Sequence, residues 1–491
     1  MSGIAVSFGA PNKENVDKMM AQIAHRGPEV SGTLATGHVV MAQNYLPPEI
    51  PGGGKAAAVP VAGADGMHVC ADVQVGNMPE LRRKHGLDEG TSPEELMLKV
   101  YAESGADGVV EALGDAIFGV VISDGETLFA ARDLLGIKTL FYGRHEGALY
   151  LSTELKSLAQ ITQDIHEFPA GHYMNEHGEL TQYAKLEDVA TAPLDGMTDD
   201  VDQLCTDVRR IIGRCIDDNI DFAVPTAGLL SGGMDSSVIC YLASKKYKEK
   251  YGQDAKLRTY AIGVGESGDI VNARLMAEHI DSDHVEVLVD LDEILAALPE
   301  VVVKLEHFDP SLVRSSVSNY LISKRAAADG YQMLLSGEGG DEIFCGYLYL
   351  KDTPAEQLRE RQLECLGFLH NNASLRLDRM NQCNSISVVA PLISGELLDY
   401  SMNRIHPKYK QKAEGDEKVE KWIFRKAYEG LRRDQITWRL KQEFSQGSAS
   451  ADVLPAHFEK EFSDAELASI QESWPIVRSK EEAAYFKIFT E

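Results

Sequence analysis

The 491-residue chain has few cysteines, and their spacing forms no pattern. There are seven of them, an odd number, and no two form a CxxC pair. Disulfide frameworks use even numbers of cysteines and structural zinc sites use closely spaced pairs, so we expect neither. Reduced, mostly structural thiols are typical of a cytoplasmic protein, which is the location that we expect.

Long apolar runs and an excess of positive charge are also missing. No stretch approaches the ~18 apolar residues of a membrane span, and the first residues, MSGIAVSFGAPNKEN, lack the basic and apolar regions of a signal peptide. With 76 acidic and 48 basic residues the formal net charge is −28, which disfavours binding to nucleic acid and anionic lipid. We therefore expect small-molecule partners only, and a homodimer is one oligomeric state that these numbers allow.

The order of strand-like and helix-like segments changes once along the chain. Residues 1–185 contain short β-type runs such as GIAVSF, IFGVVIS and ALYLST, with helices predicted only for residues 13–23 and 92–102. Residues 186–200 have no periodicity and are interpreted as a linker. From residue 201 strands and helices alternate, and the end from about residue 354 is mainly helical. We predict an α+β domain at residues 1–190 and an α/β domain with a parallel sheet at residues 200–491.

The strongest local signal is the segment LLSGGMDSS, residues 229–237. A short apolar strand runs into Ser-Gly-Gly, and a helix follows directly. The glycines Gly232 and Gly233 allow backbone N–H groups to surround an anion, and the helix adds its positive N-terminal end. Hydroxyls of Ser231 and Ser236 can donate to the same oxygens, whereas Asp235 implies a cation such as Mg²⁺ between its carboxylate and a phosphate. The segment lacks the GK[ST] ending of a Walker loop.

This segment resembles the SGGxDS pyrophosphate loop of the N-type ATP pyrophosphatases, and with the motifs below the chain resembles the asparagine synthetase family. That resemblance implies an N-terminal glutaminase domain of Ntn-hydrolase fold. It also implies a C-terminal synthetase domain of the adenine nucleotide α-hydrolase type, which uses ATP and Mg²⁺ to adenylate a carboxylate and then transfers it to ammonia. Leu229 and Ile262 match positions that pack against the adenine and its sugar, although apolar strand residues are more often simply core.

Two further motifs extend the resemblance into the second half of the chain. LLSGEGGDEIFCGY, residues 334–347, is similar to the family's SGEGxDE. The resemblance implies that Ser336 and Gly337 contact the nucleotide, that Asp341 joins Asp235 on Mg²⁺, and that Glu338 is the acid/base near the attacking amine. WRLKQEFSQG, residues 438–447, is similar to WRxKxxFSxG, so Lys441 is implied to stabilise the α-phosphate. Arg314 is predicted to contact pyrophosphate or a substrate carboxylate, because its planar fork suits both.

The N-terminal segments resemble a glutaminase domain, but the residues of its chemistry differ. The family's nucleophilic cysteine corresponds to Ser2, and its glutamine-binding arginine to Tyr45. Its Asn-Gly oxyanion pair corresponds to Asp72 and Val73, and the aspartate for the glutamine amine to Pro93. Four separate losses predict that glutamine is not hydrolysed, so ammonia or an amine is the expected nitrogen donor.

A last departure concerns the segment SVVAPLIS, where the family reads EARVPFLD. Three charged positions become Ser387, Val389 and Ser394, which predicts that aspartate is not the preferred acid. We therefore expect an AMP-forming amide synthetase. The alternatives are intramolecular cyclisation as in β-lactam synthetases, a glutamine-independent asparagine synthetase, and a non-catalytic binding subunit. The tyrosine–glutamate dyad of β-lactam synthetases is absent, since its positions are Glu338 and Ser387.

Overall fold

The computed structural model describes residues 2–46, 58–414, 417–431, 436–439, 447 and 450–491. The seven cysteines lie in these ranges and are free thiols. No helix in the described ranges is long and apolar enough to cross a membrane.

The N-terminal part is a sandwich of two six-stranded antiparallel sheets, with strand orders β10-β8-β9-β1-β3-β2 and β12-β11-β7-β6-β5-β4. Its strands are β1 (Ser2–Phe8), β2 (Val30–Thr36), β3 (Val39–Tyr45), β4 (Val61–Ala62), β5 (His68–Gln74), β6 (Ile117–Ser123), β7 (Leu128–Arg132), β8 (Phe141–His145), β9 (Ala148–Ser152), β10 (Ile165–Glu167), β11 (His172–Asn175) and β12 (Leu180–Gln182). Its helices are α1 (Lys13–Gln22), α2 (Met78–His85), α3 (Pro93–Ala112) and α4 (Leu155–Ala159).

Alternation along the strands produces the layers of this sandwich. Ile4 and Val6 of β1 pack with Cys70 of β5 between the two sheets, whereas Ala5 packs outward with Val16 and other residues of α1 and α4. On the opposite outer face, β5 packs against α2 and α3. Side chains that alternate in this way place a helical layer on each side of the two sheets, which confirms the predicted α+β sandwich.

The C-terminal part contains a five-stranded sheet of order β15-β14-β13-β16-β17, in which every neighbouring pair is parallel. Its strands are β13 (Thr226–Leu229), β14 (Arg258–Val264), β15 (Asp283–Val289), β16 (Met333–Leu335) and β17 (Ser387–Val389), and a hairpin follows with β18 (Gln411–Glu414) and β19 (Glu417–Glu420). Its helices are α5 (Val201–Asn219), α6 (Met234–Tyr251), α7 (Gly268–Ile280), α8 (Leu291–Leu305), α9 (Pro310–Ala328), α10 (Gly340–Phe344), α11 (Ala355–Phe368), α12 (Ala373–Gln382), α13 (Gly395–Asn403), α14 (Pro407–Lys410), α15 (Trp422–Ala427), α16 (Ser450–Glu461), α17 (Asp464–Ser473) and α18 (Lys480–Thr490).

Helices cover both faces of the parallel sheet, as strand–helix alternation predicts. Tyr260 and Ile262 of β14 pack with Ile322 and Ala326 of α9 on one face. Ala261 packs on the other face with residues of α5, α6 and α7. Residues 186–200, the predicted linker, contain two 3-10 turns at Leu186–Val189 and Leu194–Gly196 and no buried residue in either turn.

Candidate active site

The largest concentration of predicted site residues lies at the carboxyl ends of β13, β14 and β16. A cavity of about 260 Å³ opens there, where ligands bind in open parallel sheets. Ten of the predicted site residues line it: Leu229, Ser231, Gly233, Asp235, Ser236, Ile262, Ser336, Gly337, Glu338 and Asp341.

The loop between β13 and α6 is built to surround an anion. Gly232 has φ +69°, and a Cβ at that position would lie 2.4 Å from the backbone carbon of Asn272, so only glycine fits. Gly233 is the N-cap of α6. The hydroxyls of Ser231 and Ser236 lie 3.0 Å apart, and Ser236 Oγ accepts a hydrogen bond from the Ser231 N–H at 3.2 Å. Gly232 forms the turn without lining the cavity, and its neighbours form the surface.

The loop after β16 packs directly on the first loop. A Cβ on Gly337 would lie 2.5 Å from the backbone nitrogen of Ser236, so the absence of a side chain lets the two loops touch. Ser336 Oγ accepts a hydrogen bond from the Glu338 N–H at 3.2 Å. The Glu338 carboxylate forms a salt bridge with Arg376 of α12, which fixes its orientation inside the cavity.

A lysine that sequence reasoning missed joins the two aspartates. Lys421 Nζ lies 2.5 Å from Asp235 Oδ2 and 2.6 Å from Asp341 Oδ1, and its side chain is 1% exposed. Asp235 Oδ1 is buried and has no hydrogen-bond partner within the described part of the chain. The two carboxylates therefore converge on one point that a positive charge occupies, which is the arrangement expected of a cation site.

The apolar side of the cavity is formed by strand ends. Ile262 is 2% exposed and lies beside Tyr260 and Ala261 on β14, with Leu229 at the end of the neighbouring strand. The Leu229 and Ile262 side chains pack in one cluster next to the phosphate loop, and an apolar surface of this kind is suitable for an aromatic base. Their predicted role in contacting adenine remains a prediction.

Helix α9 contributes Ser311, Ser315 and Asn319 to the cavity, but not Arg314. The guanidinium of Arg314 donates from Nε to Glu481 Oε1 at 3.0 Å, on the C-terminal helix α18. Ser311, Ser315 and Asn319 are spaced four residues apart, so they lie on one face of α9 and line the cavity. Arg314 lies on a different side of the helix. Its predicted contact with pyrophosphate or a carboxylate remains a prediction.

Two arginines that the sequence did not single out also line the cavity. Arg425 of α15 donates from Nε to the Glu420 carbonyl oxygen at 2.8 Å, and Arg439 donates from Nη2 to Asp269 Oδ1 at 3.0 Å. Lys441, the predicted α-phosphate lysine, lies outside the described residues. Arg439 is the arginine of the WRxKxxFSxG motif, so the sequence contained a signal for it, whereas Arg425 belongs to no motif and a lone arginine in a helix is usually a solvated surface residue.

The residues that stand at the positions of the family's glutaminase residues lie in or beside one buried region of the N-terminal domain. Ser2 pairs with Tyr45 across β1 and β3, and each is 1% exposed. Arg26 donates from Nε to the Ser2 carbonyl oxygen and from Nη2 to Asp72 Oδ2, both at 3.0 Å. Val73 packs with Tyr45 in the core next to α3, which begins at Pro93.

Asp72 carries a negative charge in this region. Burial alone would raise the pKa of its carboxyl, but Lys138 and further nearby positive charges, Arg26 among them, outweigh burial and hold the pKa well below its usual range. The Lys138 Nζ is 3.3 Å from Asp72 Oδ1. An ionised carboxylate therefore stands where the family's oxyanion donor is expected.

Buried charges also join the two domains. Arg26 Nη1 donates to Asp378 Oδ2 on α12 at 3.0 Å and to Glu154 Oε1 at 2.9 Å. Arg379 Nη1 lies 2.6 Å from Glu154 Oε1, and Arg379 Nη2 lies 3.0 Å from Glu306 Oε2. We call Arg26, Asp72, Lys138, Glu154, Lys156, Glu306, Asp378 and Arg379 the interdomain charge network.

Comparisons with known proteins match both halves of the chain. The asparagine synthase family model matches residues 207–369 and 351–486, and the glutamine amidotransferase domain model matches residues 1–201. Asparagine synthetase B [glutamine-hydrolyzing] of Escherichia coli strain K12 is 31% identical over 487 residues, which cover 95% of this chain and 86% of that protein. Asparagine synthetase [glutamine-hydrolyzing] 1 of Saccharomyces cerevisiae is 29% identical over 529 residues, with 96% and 90% covered.

The parallel sheet, its two interlocking loops and these matches define an ATP-dependent carbon–nitrogen ligase that forms AMP and pyrophosphate. Such an enzyme couples the formation of an amide bond to the cleavage of ATP between its α- and β-phosphates. The chain belongs to the asparagine synthetase family. This confirms the resemblance carried by the SGGMDSS and SGEGGDE motifs.

Proposed function

We propose that this chain adenylates a carboxylate with ATP and transfers the acyl group to ammonia or an amine without using glutamine. The observation that carries the proposal is the ionised Asp72 beside Ser2, in a domain that otherwise keeps its fold. The residue roles given below are part of the same proposal.

Amide hydrolysis in a glutaminase passes through an intermediate with a negatively charged oxygen. Preorganised donors at that oxygen supply roughly a hundredfold to a thousandfold in rate. Here Arg26 and Lys138, which could attract an anion, are already engaged by Asp72 and Asp378. Ser2 Oγ accepts a hydrogen bond from Gln43 Nε2 at 3.1 Å, and a serine hydroxyl is a weaker nucleophile than a thiolate. The region therefore disfavours every step of glutamine hydrolysis.

In the synthetase cavity, the proposed roles follow from position. Ser231, Gly233 and Ser236 would hold pyrophosphate at the start of α6, and Ser336 and Gly337 would contact the nucleotide. Glu338 would accept a proton from the attacking amine, while Lys441 would stabilise the α-phosphate. The salt bridge with Arg376 holds the Glu338 carboxylate in one orientation for that proton transfer.

Asp235 and Asp341 fit a magnesium ion. Mg²⁺ is commonly held by one or two carboxylates together with substrate phosphates. Asp235 Oδ1 is buried with no hydrogen-bond partner among the described residues and can accept such an ion, whereas the Lys421 ammonium already neutralises Asp235 Oδ2 and Asp341 Oδ1. Bound there, Mg²⁺ would neutralise the leaving pyrophosphate.

The first experiment asks about the nitrogen donor. The protein is incubated with glutamine, with and without ATP, and glutamate is measured beside a glutamine-hydrolysing relative as the positive control. We expect no glutamate above background, also for Ser2→Cys, because that change leaves Asp72 in place. Glutamate release by the unmodified protein at the rate of the positive control would contradict the proposal.

The second experiment separates adenylation from amide formation. Glu338→Gln should reduce amide formation by roughly a hundredfold or more while ATP–pyrophosphate exchange continues, because only the second step needs a proton acceptor. Glu360→Gln, on the exposed surface of α11, is the control and should change neither rate. Equal loss of both rates in Glu338→Gln would show that Glu338 acts in adenylation instead.

A glutamine-independent asparagine synthetase is the second candidate function. The sequence departure at residues 387–394 suggested that aspartate is disfavoured, but none of Ser387, Val389 and Ser394 is among the described residues that line the 260 Å³ cavity. Val389 is 2% exposed in the core, and Ser394 accepts the Leu397 N–H as the N-cap of α13. An assay decides between the two candidate functions. The protein is incubated with aspartate, ATP, Mg²⁺ and ammonium, and asparagine formation is detected by mass.

A further inference from the structure

Tyr347 ends the second synthetase motif and has no role in the function proposed above. It lines the ATP cavity together with Glu338 and Asp341. The residue before it, Gly346, packs so closely on Asp341 and Lys421 that a side chain at that position would collide with both. The tyrosine is therefore held inside the synthetase cavity, next to the proposed cation site.

A buried carboxylate orients the hydroxyl of Tyr347. The hydroxyl donates a hydrogen bond to Glu342 Oε1 at 2.5 Å, and Glu342 is 2% exposed. Gln362 Nε2 donates to the Glu342 carbonyl oxygen at 2.9 Å, which fixes the backbone that carries this carboxylate. Within the described ranges Glu342 Oε2 has no hydrogen-bond partner, so Tyr347 supplies a donor that the buried carboxylate requires.

This orientation decides what Tyr347 offers to a ligand. A tyrosine hydroxyl has one proton and two oxygen lone pairs, and here the proton is directed at Glu342. None of the described residues donates to the hydroxyl oxygen, so its lone pairs are left for a ligand. Burial, then Glu342 and Asp341, raise the pKa of Tyr347 above its usual range, and Glu338 contributes to the same effect. The hydroxyl therefore keeps its proton, and Glu338 lies near enough to act on it.

We propose that Glu338 and Tyr347 together hold the attacking nitrogen, so that the nitrogen donor must carry two N–H bonds, as ammonia and primary amines do. The proposal rests on the function given above, in which ammonia or an amine attacks the acyl-adenylate. Glu338 accepts one N–H through its carboxylate, and Tyr347 accepts the other through its oxygen. A secondary amine has one N–H and leaves one acceptor without a partner. Glu342 touches no substrate and acts as a positioning residue through Tyr347.

The bonds around the nitrogen account for this requirement. Its lone pair points at the acyl carbon, one N–H points at Glu338 and a second points at the Tyr347 oxygen, while the fourth position holds hydrogen or a carbon substituent. The lone pair forms the C–N bond, AMP leaves with the electron pair of the broken C–O bond, and the first N–H gives its proton to Glu338. The second N–H is not transferred and stays in the amide. Two fixed acceptors thus orient a small nucleophile for attack.

Ethylamine and dimethylamine test the proposal, because they are isomers of closely similar basicity with two N–H bonds and one. Each is used at equal free-base concentration with ATP, Mg²⁺ and the acid that gives the fastest ATP–pyrophosphate exchange in a panel that includes aspartate. The amide is detected by mass. Tyr347→Phe removes the acceptor and keeps the ring. Tyr349→Phe is the matched control, since its ring stacks on that of Tyr347 at 5.4 Å but Tyr349 is not among the described residues that line the cavity.

We expect ethylamine to react roughly fivefold faster or more than dimethylamine in the unmodified protein and in Tyr349→Phe, because one hydrogen bond is lost with the secondary amine. In Tyr347→Phe the two rates should differ by about twofold or less, and the KM for ammonia should rise roughly fivefold. ATP–pyrophosphate exchange involves no amine and should fall far less than amide formation. Melting temperatures establish that the variants are folded.

Equal rates for the two isomers in the unmodified protein would overturn the proposal, and so would an unchanged KM for ammonia in Tyr347→Phe. Glu342→Gln tests the positioning role, because a carboxamide can donate to Tyr347 and turn the hydroxyl proton towards the cavity. The preference for ethylamine should then fall, and an unchanged preference would show that Glu342 does not orient the hydroxyl. Glutamate release from glutamine would overturn the proposed function and not this requirement, because ammonia from glutamine also carries N–H bonds.

Discussion

At the scale of single residues, the position of Lys421 between two carboxylates has the clearest experimental consequence. Lys421→Met would leave Asp235 and Asp341 facing each other without a cation. We expect pyrophosphate release to fall by roughly a hundredfold or more and stability to fall by about 2 kcal/mol. Both are measured directly, by a pyrophosphate assay and by denaturant unfolding.

Magnesium provides a second readout for the same variant. If the two carboxylates form a cation site, Mg²⁺ should raise the melting temperature of Lys421→Met more than that of the unmodified protein. Lys418→Met, at an exposed position of the same hairpin, is the control and should respond like the unmodified protein. An identical Mg²⁺ response in Lys421→Met would contradict the cation site.

Lys410 gives a prediction about alkaline pH. It is 1% exposed, and its ammonium donates to Gln362 Oε1 at 2.6 Å. Burial lowers the pKa of Lys410 to about 8, below the value of roughly 10.4 in an unfolded chain. At pH values between these two pKa values, Lys410 binds more protons in the unfolded state than in the folded state. The contribution of this residue to the free energy of unfolding therefore rises with pH.

Lys410→Met should therefore remove a positive slope in the free energy of unfolding between about pH 8 and pH 10. Urea unfolding at several pH values measures this slope as the difference between the two proteins. Lys412→Met, a less buried position on β18, is the control, and its slope should match that of the unmodified protein. A slope that is unchanged in Lys410→Met would show that the lysine titrates normally.

The predicted site residues that lie together in the structure are mostly those that belong to a sequence motif. Ser231, Asp235, Ser336 and Asp341 belong to short strings with glycines, and the structure brings them to one cavity. Lys421 and Arg376 belong to no such string. They become site residues only because a hairpin and α12 approach the loops from distant parts of the chain, and that approach has no local sequence signature.

At the scale of elements, the predicted strands and helices exist, but their ends differ. The apolar pattern near residues 320–328 predicts a helix there, and the structure has α9, which begins already at Pro310 because the Asp309 carboxylate accepts the N–H groups of Ser311 and Leu312. The sequence contains this Asp-Pro start signal, but the serines that follow it obscured the apolar period. The run LLS at residues 229–231 predicts a strand that ends at Ser231, but β13 ends at Leu229, because the chain turns there into the phosphate loop.

The phosphate loop depends on a glycine that does not itself touch the cavity. Gly232→Ala would place a methyl group 2.4 Å from the Asn272 backbone and also strain a positive φ. We expect pyrophosphate release to fall by at least a hundredfold, because a shift of about 1 Å in the loop misplaces the bound phosphates.

Gly265→Ala is a matched control for this change. Gly265 has φ +60°, and no atom lies within 4 Å of the point where a Cβ would stand, so only backbone strain of about 1–2 kcal/mol is added. Its pyrophosphate release should stay within a few fold of the unmodified rate. Equal loss in both variants would mean that φ strain, not contact with α7, explains the effect of Gly232→Ala.

At the scale of the whole molecule, the interdomain charge network makes the free energy of unfolding depend on pH in the acidic range. Burial would raise the pKa of Glu154, but Arg379 and Lys156 outweigh it and hold the pKa well below its usual range. A carboxyl whose folded pKa is depressed stabilises the protein fully above its unfolded pKa of about 4.3, and this contribution is lost as the pH falls towards the folded pKa.

We expect the free energy of unfolding to decrease steeply between about pH 5 and pH 3. Glu154→Gln should be less stable at pH 7 by roughly 3 kcal/mol and should show a flatter acid slope. The control is Glu126→Gln, whose side chain is 71% exposed, and it should follow the unmodified protein at every pH. An acid slope that is unchanged in Glu154→Gln would assign the acid sensitivity to other carboxyls.

The order of domains was predictable from the sequence, but their interface was not. Strand-rich and alternating patterns differ so strongly that the change near residue 200 is visible without coordinates. Buried pairs such as Arg26–Asp378 join residues more than 350 positions apart, and each partner alone is typical of a surface charge. Only the fold shows that these charges neutralise each other.

The Arg26–Asp378 contact has a consequence for whether the N-terminal domain can be lost during evolution. Deleting the N-terminal domain would remove Arg26 and Lys138 from Asp378, Glu154 from Arg379 and Lys156 from Glu306, although Arg379 and Glu306 would still pair with each other. A shortened descendant would first need compensating replacements, above all at Asp378 of α12, to remain folded. Under the proposed function, a domain without glutaminase activity would thus be retained by physical dependence, and loss of an activity would not open a path to loss of the segment that once performed it.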